Sequence, residues 1–466
     1  MSSPPISAEQ EATPETPPAP PKDKPVRRPW PESLPRVERI LDLSEAEKAA
    51  LGPDWRLIGY DASEQLAVIP RQPYVIVFQR AQYAPIDELL SDGDGPAVRI
   101  APRAPQILPK SMAHSSLLAE VVAGKFIDAL PLYRQEKIFA REGIEVSRRS
   151  MSSWMIQLDQ RLTPMMAAIK RVLDEGAVIP IDETRLQVLD EPGHAATQQS
   201  FMGVYCGGPN DRPVVWFQYA DTRRGEIPKQ FLFPDPPEAD SPDPPPRLYL
   251  ISDGYSAYPG LARQAGILAH AACWAHGRRK FVEAAEARKH AGGAHQMVAM
   301  MAKRYAIERQ ARAATPEQRR ALRGEHSKPL LAKIKTWLDE KAAQVLPKGL
   351  LGTAITYALG QWPQLTTFLD DGRIAIDNNR AENAIRPFVI GRKNWLFSGS
   401  PAGAAASATL YSLIETAKAN GLEPRAYLRH LFEHLPLATT PDAITALLPM
   451  NLTPDQLSPI PTHLPS

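Results

Sequence analysis

Two short apolar runs that each end in acids constrain this chain most. One is Ala177-Val-Ile-Pro-Ile-Asp182-Glu-Thr184; the other is Arg247-Leu-Tyr-Leu-Ile-Ser-Asp253-Gly-Tyr255. Uninterrupted apolar runs of this length read as strands buried on both faces. In open α/β sheets the chemistry collects at the carboxyl ends of such strands, and here those ends carry carboxylates. A third acid, Glu382, lies in Asp377-Asn-Asn-Arg-Ala-Glu-Asn-Ala-Ile-Arg-Pro387, followed closely by Gly391-Arg-Lys-Asn-Trp395. This segment reads as a helix. Ala381, Ile385 and Phe388 form its apolar stripe, while Asn378, Asn379 and Arg386 share the face of Glu382. An acid among amides and arginines is poor core material and suits a metal ion held beside a phosphate. Three acids are the minimum set for two-metal phosphoryl transfer. Magnesium takes oxygen ligands and keeps several waters, and two ions about 4 Å apart clamp the attacking and leaving oxygens.

The order of elements predicts an α/β fold. Strands are expected at 177–189, 200–207, 213–219, 247–252 and 269–273, with one short helix among them. Gly207-Gly208 and Asn210-Asp211 are turn signals between the first three, which suit antiparallel pairing. Three strands, a helix and two more strands is the order of a ribonuclease-H-like core, a mixed five-stranded sheet with helices. Residues 280–370 read as helical, so the Glu382 helix arrives only after an inserted α-helical domain. Residues 376–432 are helical again, interrupted by a Gly/Ser/Ala-rich stretch at 399–407.

Upstream, residues 36–51 suggest a short helix, 65–80 a strand pair (Leu66, Val68, Val75, Val77) and 86–112 irregular chain. From Ser115 to about Glu175 the pattern is helical. Within it, Pro131 to Ala140, Gly143 and Ser147 to Trp154 fit a helix-turn-helix, with Arg148 and Arg149 opening the second helix. Three packed helices with exposed arginines fit equally well. Residues 1–31 hold ten of the chain's 48 prolines and few apolar residues, which predicts a disordered tail. Pro234 to Pro246 is a second proline cluster. The expected domains are therefore a tail at 1–33, a small N-terminal domain at 34–112 and a helical region at 113–176. The catalytic core begins at 177–281, is interrupted by the insertion at 282–372 and resumes at 373–436, before a C-terminal tail at 437–466.

With 466 residues, 43% of them hydrophobic, the chain can bury a large core. Its net charge of +2 does not announce a polyanion partner, but Arg278-Arg279-Lys280 and Arg392-Lys393 flank the acidic segments and suit phosphate contacts. Only Cys206 and Cys273 occur, which excludes a disulfide framework and a four-cysteine zinc site. No signal peptide and no membrane-length apolar run is read, so a cytoplasmic protein without a membrane partner is expected.

Several long motifs together resemble the bacterial insertion-sequence transposases of the insertion-sequence sixty-six family. They are Leu130-Pro-Leu-Tyr-Arg-Gln-Glu136, Asp182-Glu-Thr184, Ser252-Asp-Gly-Tyr255, Ala272-Cys-Trp-Ala-His-Gly-Arg-Arg-Lys-Phe281, Asp377 through Phe397, and Tyr411-Ser-Leu-Ile-Glu-Thr-Ala-Lys418. Pro424-Arg-Ala-Tyr-Leu428 and Leu447-Leu-Pro-Met-Asn451 extend the match, which spans roughly residues 115–451. The resemblance implies a DDE enzyme with a ribonuclease-H-like core, its acid triad on Asp182, Asp253 and Glu382. It implies two Mg2+ ions, replaceable by Mn2+, that serve hydrolysis at transposon ends and strand transfer of the 3′-hydroxyl into target DNA. Implied partners are double-stranded DNA, further copies of the chain in a synaptic complex and small accessory proteins of the same element. The implied location is the bacterial cytoplasm, at the nucleoid.

The individual residues have competing readings. Pleating sends Asp182 and Glu183 to opposite faces, so only one can face the metals; the family pattern favours Asp182. Asp377 suits a helix cap. Glu415 suits a structural or surface role. Cys273 and His276 offer two ligands, not a zinc site; with Asn379 they are expected to support the pocket. Arg386, Arg392 and Lys393 are the leading phosphate binders, and Trp395 fits either a core position or a base-stacking one. The chain departs from the family pattern where Ala49-Ala-Leu-Gly-Pro-Asp54 and Gln82-Tyr-Ala-Pro-Ile-Asp87 lack the cysteines of a zinc-binding element. Zinc is therefore not expected. That loss keeps an inactive or repurposed DNA-binding relative as an alternative. A glycosidase built on paired carboxylates fits poorly, because aromatics are only 7% of the chain and basic residues surround the acids.

Overall fold

The computed structural model describes residues 40, 42–51, 60, 73–84, 98–195, 197–233, 248–253, 267–287 and 290–457. The chain divides into two units, Met1–Gln72 and Pro73–Ser466. In the first, Glu45–Leu51 is helical. Ser44 and Glu47 open it with reciprocal bonds: Ser44 N–H donates to Glu47 Oε2 at 2.8 Å and Glu47 N–H to Ser44 Oγ at 3.4 Å. The predicted tail, some of the expected cysteine positions and the Pro234–Pro246 cluster lie outside the described residues.

The second unit is built on a mixed five-stranded sheet. Its strands are β1 (Val178–Gln187), β2 (Gln199–Gly207), β3 (Val214–Ala220), β4 (Leu248–Ser252) and β5 (Ile267–Ala272). The spatial order is β3-β2-β1-β4-β5. β1 and β2, and β2 and β3, run antiparallel, whereas β4 lies parallel to β1 and β5 parallel to β4. Central β1 contains Pro180, a residue that cannot donate to a ladder. It is tolerated because β1 pairs with β4 over Val178–Pro180 and with β2 only from Ile181 onward. At that change of partner the neighbouring strands diverge, and Asp182 emerges there. At the β2–β3 turn, Gly208 takes φ +75°, and a Cβ there would stand 2.5 Å from the Arg212 carbonyl oxygen.

Upstream of the sheet are the helices α1 (Ser115–Phe126), α2 (Leu132–Arg141) and α3 (Arg148–Asp174); α4 (Glu226–Leu232) follows β3. Beyond β5 come α5 (Trp274–Glu286), α6 (Gly293–Gln310), α7 (Pro316–Leu322), α8 (Lys328–Ala342) and α9 (Leu350–Gly360). Then come α10 (Asn379–Trp395), α11 (Pro401–Ala419) and α12 (Pro424–His434).

One sheet face (Leu186, Met202, Val204, Phe217) shares a core with α1, α3, α10, α11 and α12. The other face (Ile179, Ile181, Tyr205, Leu250) packs on Leu232 of α4. The helices after β5 do not keep a core to themselves: Met297, Ile334, Ile355 and Phe368 join Ile251, Ala271 and Trp274 in one cluster. Strand β3 would leave an open edge, and α11 covers it. Ser412 Oγ accepts from Phe217 N–H at 2.7 Å, and Thr416 Oγ1 accepts from Val215 N–H at 3.1 Å and donates to Val215 O at 3.0 Å.

Two expectations need correction. Residues 73–80 form no strand; instead Gln82–Tyr83 pairs with Arg99–Ile100 in a short antiparallel ladder. The break expected over 399–407 is confined to Leu396–Ser400. Ala404 and Ala406 lie inside α11, where small side chains let the helix sit close to its neighbours, and Ser400 caps it by accepting from Gly403 N–H at 3.3 Å. The segment read as either a helix-turn-helix or packed helices consists of α2, a turn with Gly143 at φ +77°, and α3. Phe139, Val146 and Met151 are buried between these elements, and Arg148 and Arg149 are exposed.

Candidate active site

Three elements converge at the carboxyl end of the sheet. Asp182 lies midway along β1, just past the end of its pairing with β4, rather than at the strand's end as the sequence suggested; Asp253 follows the last residue of β4, and Glu382 stands in the first turn of α10. All three are partly open to solvent. Burial first, and then the charges of Glu183, Asp253 and Glu382, push the Asp182 carboxyl up to about 7; the Glu183 N–H bond to its Oδ1 at 2.9 Å opposes them. The alternation of β1 divides Asp182 from Glu183 as pleating requires. Asp182 has Thr184 on its own face, and Thr184 Oγ1 accepts from Arg392 of α10 at 2.9 Å. Glu183 is taken by Arg223, from the loop after β3, whose guanidinium also lies 3.8 Å from Asp253 Oδ2.

The helix carrying Glu382 is set by its first residues. Asp377 is not the cap residue; the cap position belongs to Asn378, and Asp377 Oδ1 accepts from Asn379 N–H at 3.3 Å. Asn378 is fully buried. Its Nδ2 donates to Ile181 O at 2.7 Å, next to Asp182, and its N–H points to Cys273 Sγ at 3.2 Å. One amide side chain thus ties the middle of β1, beside Asp182, to the start of α10. Asn379, expected to support the pocket, is exposed; its neighbour Asn378 occupies that position.

Cys273 and His276 do reach the site. Cys273 Sγ lies 3.8 Å from Glu382 Oε1 and His276 Nδ1 lies 3.6 Å from it, so the three offer ligand atoms within 4.8 Å of one another. Cys273 is buried, and burial pushes its thiol up to about 11. A neutral buried thiol beside a carboxylate is a structural contact as it stands.

The basic residues separate into two kinds. Arg278, Arg279, Arg386 and Lys393 are exposed. Lys280 lies over the Tyr357 ring at 5.0 Å, and Arg392 is committed to Thr184. Trp395 packs edge-on to Phe388 at 5.3 Å against the core, which favours its core reading. Glu415 pairs with Lys418 at 2.8 Å. Arg223 was missed as a site residue, and Asn378 was read only as sharing the face of Glu382, not as a bridge to β1: Arg223 lies 40 positions from Glu183, and no periodicity links them. Among the described residues, no helix is long and apolar enough to cross a membrane.

The curated relatives of the chain come from Sinorhizobium fredii (strain NBRC 101917 / NGR234). The protein named uncharacterized protein y4qI is 33% identical over 456 residues, covering 93% of this chain and 80% of its own length. Uncharacterized protein y4jD is 32% identical over 442 residues, covering 92% and 82%, and y4hP is 29% identical over 429 residues, covering 87% and 73%. Residues 110–406 match the family described as Transposase IS66 family, and residues 412–450 match the IS66 C-terminal element. The first match alone spans more than half the chain and contains Asp182, Asp253 and Glu382, so the chain belongs to the IS66 family of transposases.

Proposed function

We propose that this chain is a DDE transposase that hydrolyses phosphodiester bonds at the ends of its element and joins the freed 3′-hydroxyl to target DNA. The observation that carries this reading is the convergence of Asp182, Asp253 and Glu382 where β1 parts from β4 in a mixed sheet, with Asp182 pushed up by burial and then by the neighbouring carboxylates. The β3-β2-β1-β4-β5 order supports a ribonuclease-H-like core, and the helices between α5 and α10 support an insertion. The donor set fits hard divalent cations: three carboxylates gather where burial, and then the charges of Glu183, Asp253 and Glu382, raise the Asp182 carboxyl. Asp182, Asp253 and Glu382 would hold two such ions, magnesium by ligand type. When bound, they supply Lewis acidity and activate water or the 3′-hydroxyl.

The chain's own residues position and shield. Asn378 fixes Glu382 relative to Asp182 through Ile181. Thr184 and Arg392 lock β1 against α10. Arg223 pairs with Glu183 and places a cation beside Asp253, where a phosphate oxygen would enter. Arg223→Ala is expected to slow cleavage by about 10²-fold, the scale of one transition-state donor, with folding retained by circular dichroism. Unchanged single-turnover cleavage would return Arg223 to a purely structural role.

Arg386 and Lys393 face solvent on the same helix as Glu382. Removing Arg386 and Lys393 together is expected to weaken DNA binding and to flatten its salt dependence by about one to two charges in a log–log plot. An unchanged slope would place both residues outside the DNA contact. The direct test of the function is divalent-metal-dependent cleavage of duplexes carrying the inverted repeats that flank the coding sequence. Absence of cleavage across magnesium and manganese would sink it.

A further inference from the structure

Helix α10 ends in a backbone conformation that a leucine adopts only under constraint. Leu396 has φ +67° and ψ −51°, and Phe397 N–H donates to Trp395 O at 2.9 Å. This is the positive-φ γ-turn, rare and strained for a residue with a Cβ. The turn is held firmly on both sides. Before it, Trp395 packs on Phe388. After it, Ser398 N–H donates to Gln187 O at 2.9 Å, and Leu189 N–H donates to Ser398 O at 3.0 Å. Yet the side chains at the tip are not used for packing: Leu396 is 62% exposed and Phe397 43%. Strain in a well-anchored turn, spent on presenting apolar side chains to water, points to function.

The approach to the tip is basic. Taking 100° per residue, Arg386, Ile390 and Lys393 fall within about 80° of Glu382 around α10, and Ile390 is itself 52% exposed. A stripe of acid, arginine and lysine therefore runs from the candidate metal ligand to the apolar tip. We infer that this stripe follows a DNA backbone and that Leu396 and Phe397 form a wedge that unstacks a base step of the duplex. Apolar wedges beside cationic contacts part stacked bases in this way. The fourteen residues from Glu382 to Leu396 correspond to about 21 Å of helix, or about six base pairs of duplex rise. The wedge thus acts some six base pairs from the bond that is cut. This inference rests on the reading of the chain as a DNA-cutting enzyme.

The test uses full-length protein, without divalent metal, bound to duplexes that carry the flanking inverted repeat with 2-aminopurine at successive positions from the cleavage point. Fluorescence is expected to rise about fivefold at one or two adjacent positions roughly six base pairs away. The double substitution Leu396→Gly with Phe397→Ala should remove the rise while weakening binding less than about tenfold. Its melting temperature should not fall, because glycine relieves the positive φ. A structural role for the turn would give the opposite pair of results. Phe397→Ala alone leaves the turn residue in place and carries the test if the double variant does not fold. Cleavage of the same duplexes once magnesium is added, with no fluorescence rise in the metal-free complex, overturns the wedge and leaves the enzymatic reading standing; no binding, and no cleavage with magnesium or manganese, overturns both. A rise that persists in the variants, or a change in oligomeric mass with the rise unaltered, also overturns it and assigns the tip elsewhere.

Discussion

Asp182→Asn is expected to lower metal-dependent cleavage of element-end DNA by at least about 10³-fold, more than one transition-state hydrogen bond is worth. The same substitution is expected to stabilise the metal-free protein above pH 7. The Asp182 carboxyl is pushed up to about 7 by burial and by the charges of Glu183, Asp253 and Glu382. Its folded-state pKa therefore lies above that of the unfolded chain, and the folded state holds the proton more tightly. The stabilisation is present below about pH 4 and is lost as the pH rises to about 7. Asparagine removes the charge at all pH values. The gain at pH 8 is about 2 kcal/mol, half the full linkage value because the side chain is partly open to water. Melting curves from pH 4 to 8, with magnesium and with chelator, check this. Magnesium should restore the wild type more than the variant. A variant that is less stable than wild type at pH 8 would show that Asp182 is structural. Asp253→Asn and Glu382→Gln are expected to match the loss of cleavage, and full activity in either would remove that residue from the site.

Arg323→Ala is expected to cost about 3–5 kcal/mol, the range for breaking a buried ion pair from one side. Arg323 is 1% exposed and opens a five-residue π-helical turn between α7 and α8. Its Nε and Nη2 meet Glu308 at 2.9 and 2.8 Å, and it donates to the carbonyls of Phe368, Asp371 and Ile374 at 2.7, 3.1 and 2.9 Å. Those carbonyls belong to the segment that leads into α10, and Ile376 O accepts from Trp274 N–H at 3.0 Å. Loss of the guanidinium leaves Glu308 and three carbonyls unmatched and frees the segment that sets Asn378. Denaturant unfolding should show the loss in stability. Single-turnover cleavage by the folded fraction should fall as well, by about tenfold or more. Arg323→Lys should recover little, because an ammonium cannot reproduce the planar fork. Wild-type stability in Arg323→Ala would mean that water replaces the guanidinium and that the segment is held by its apolar contacts alone.

Sequence alone determined the elements that follow a period. Strands buried on both faces must be continuous apolar runs, so β1 and β4 were legible, and so were the acids that follow each run, although β1 continues past Asp182 to Gln187. The 3.6-residue stripe of Ala381, Ile385 and Phe388 likewise defined α10 and the side on which Glu382 stands; all three stripe residues are buried. Tertiary structure alone decided which long-range partners meet. Arg223 reaches Glu183 and Asp253, Asn378 rather than Asn379 bridges to Ile181, and Cys273 and His276 close on Glu382. It also decided that the helices after β5 share a core with the sheet edge and that Ala404 and Ala406 continue a helix rather than break it. The physical reason is the same in each case. Periodicity reports whether a face is buried, whereas a polar contact between residues far apart in the chain depends on where two independently formed elements are packed together.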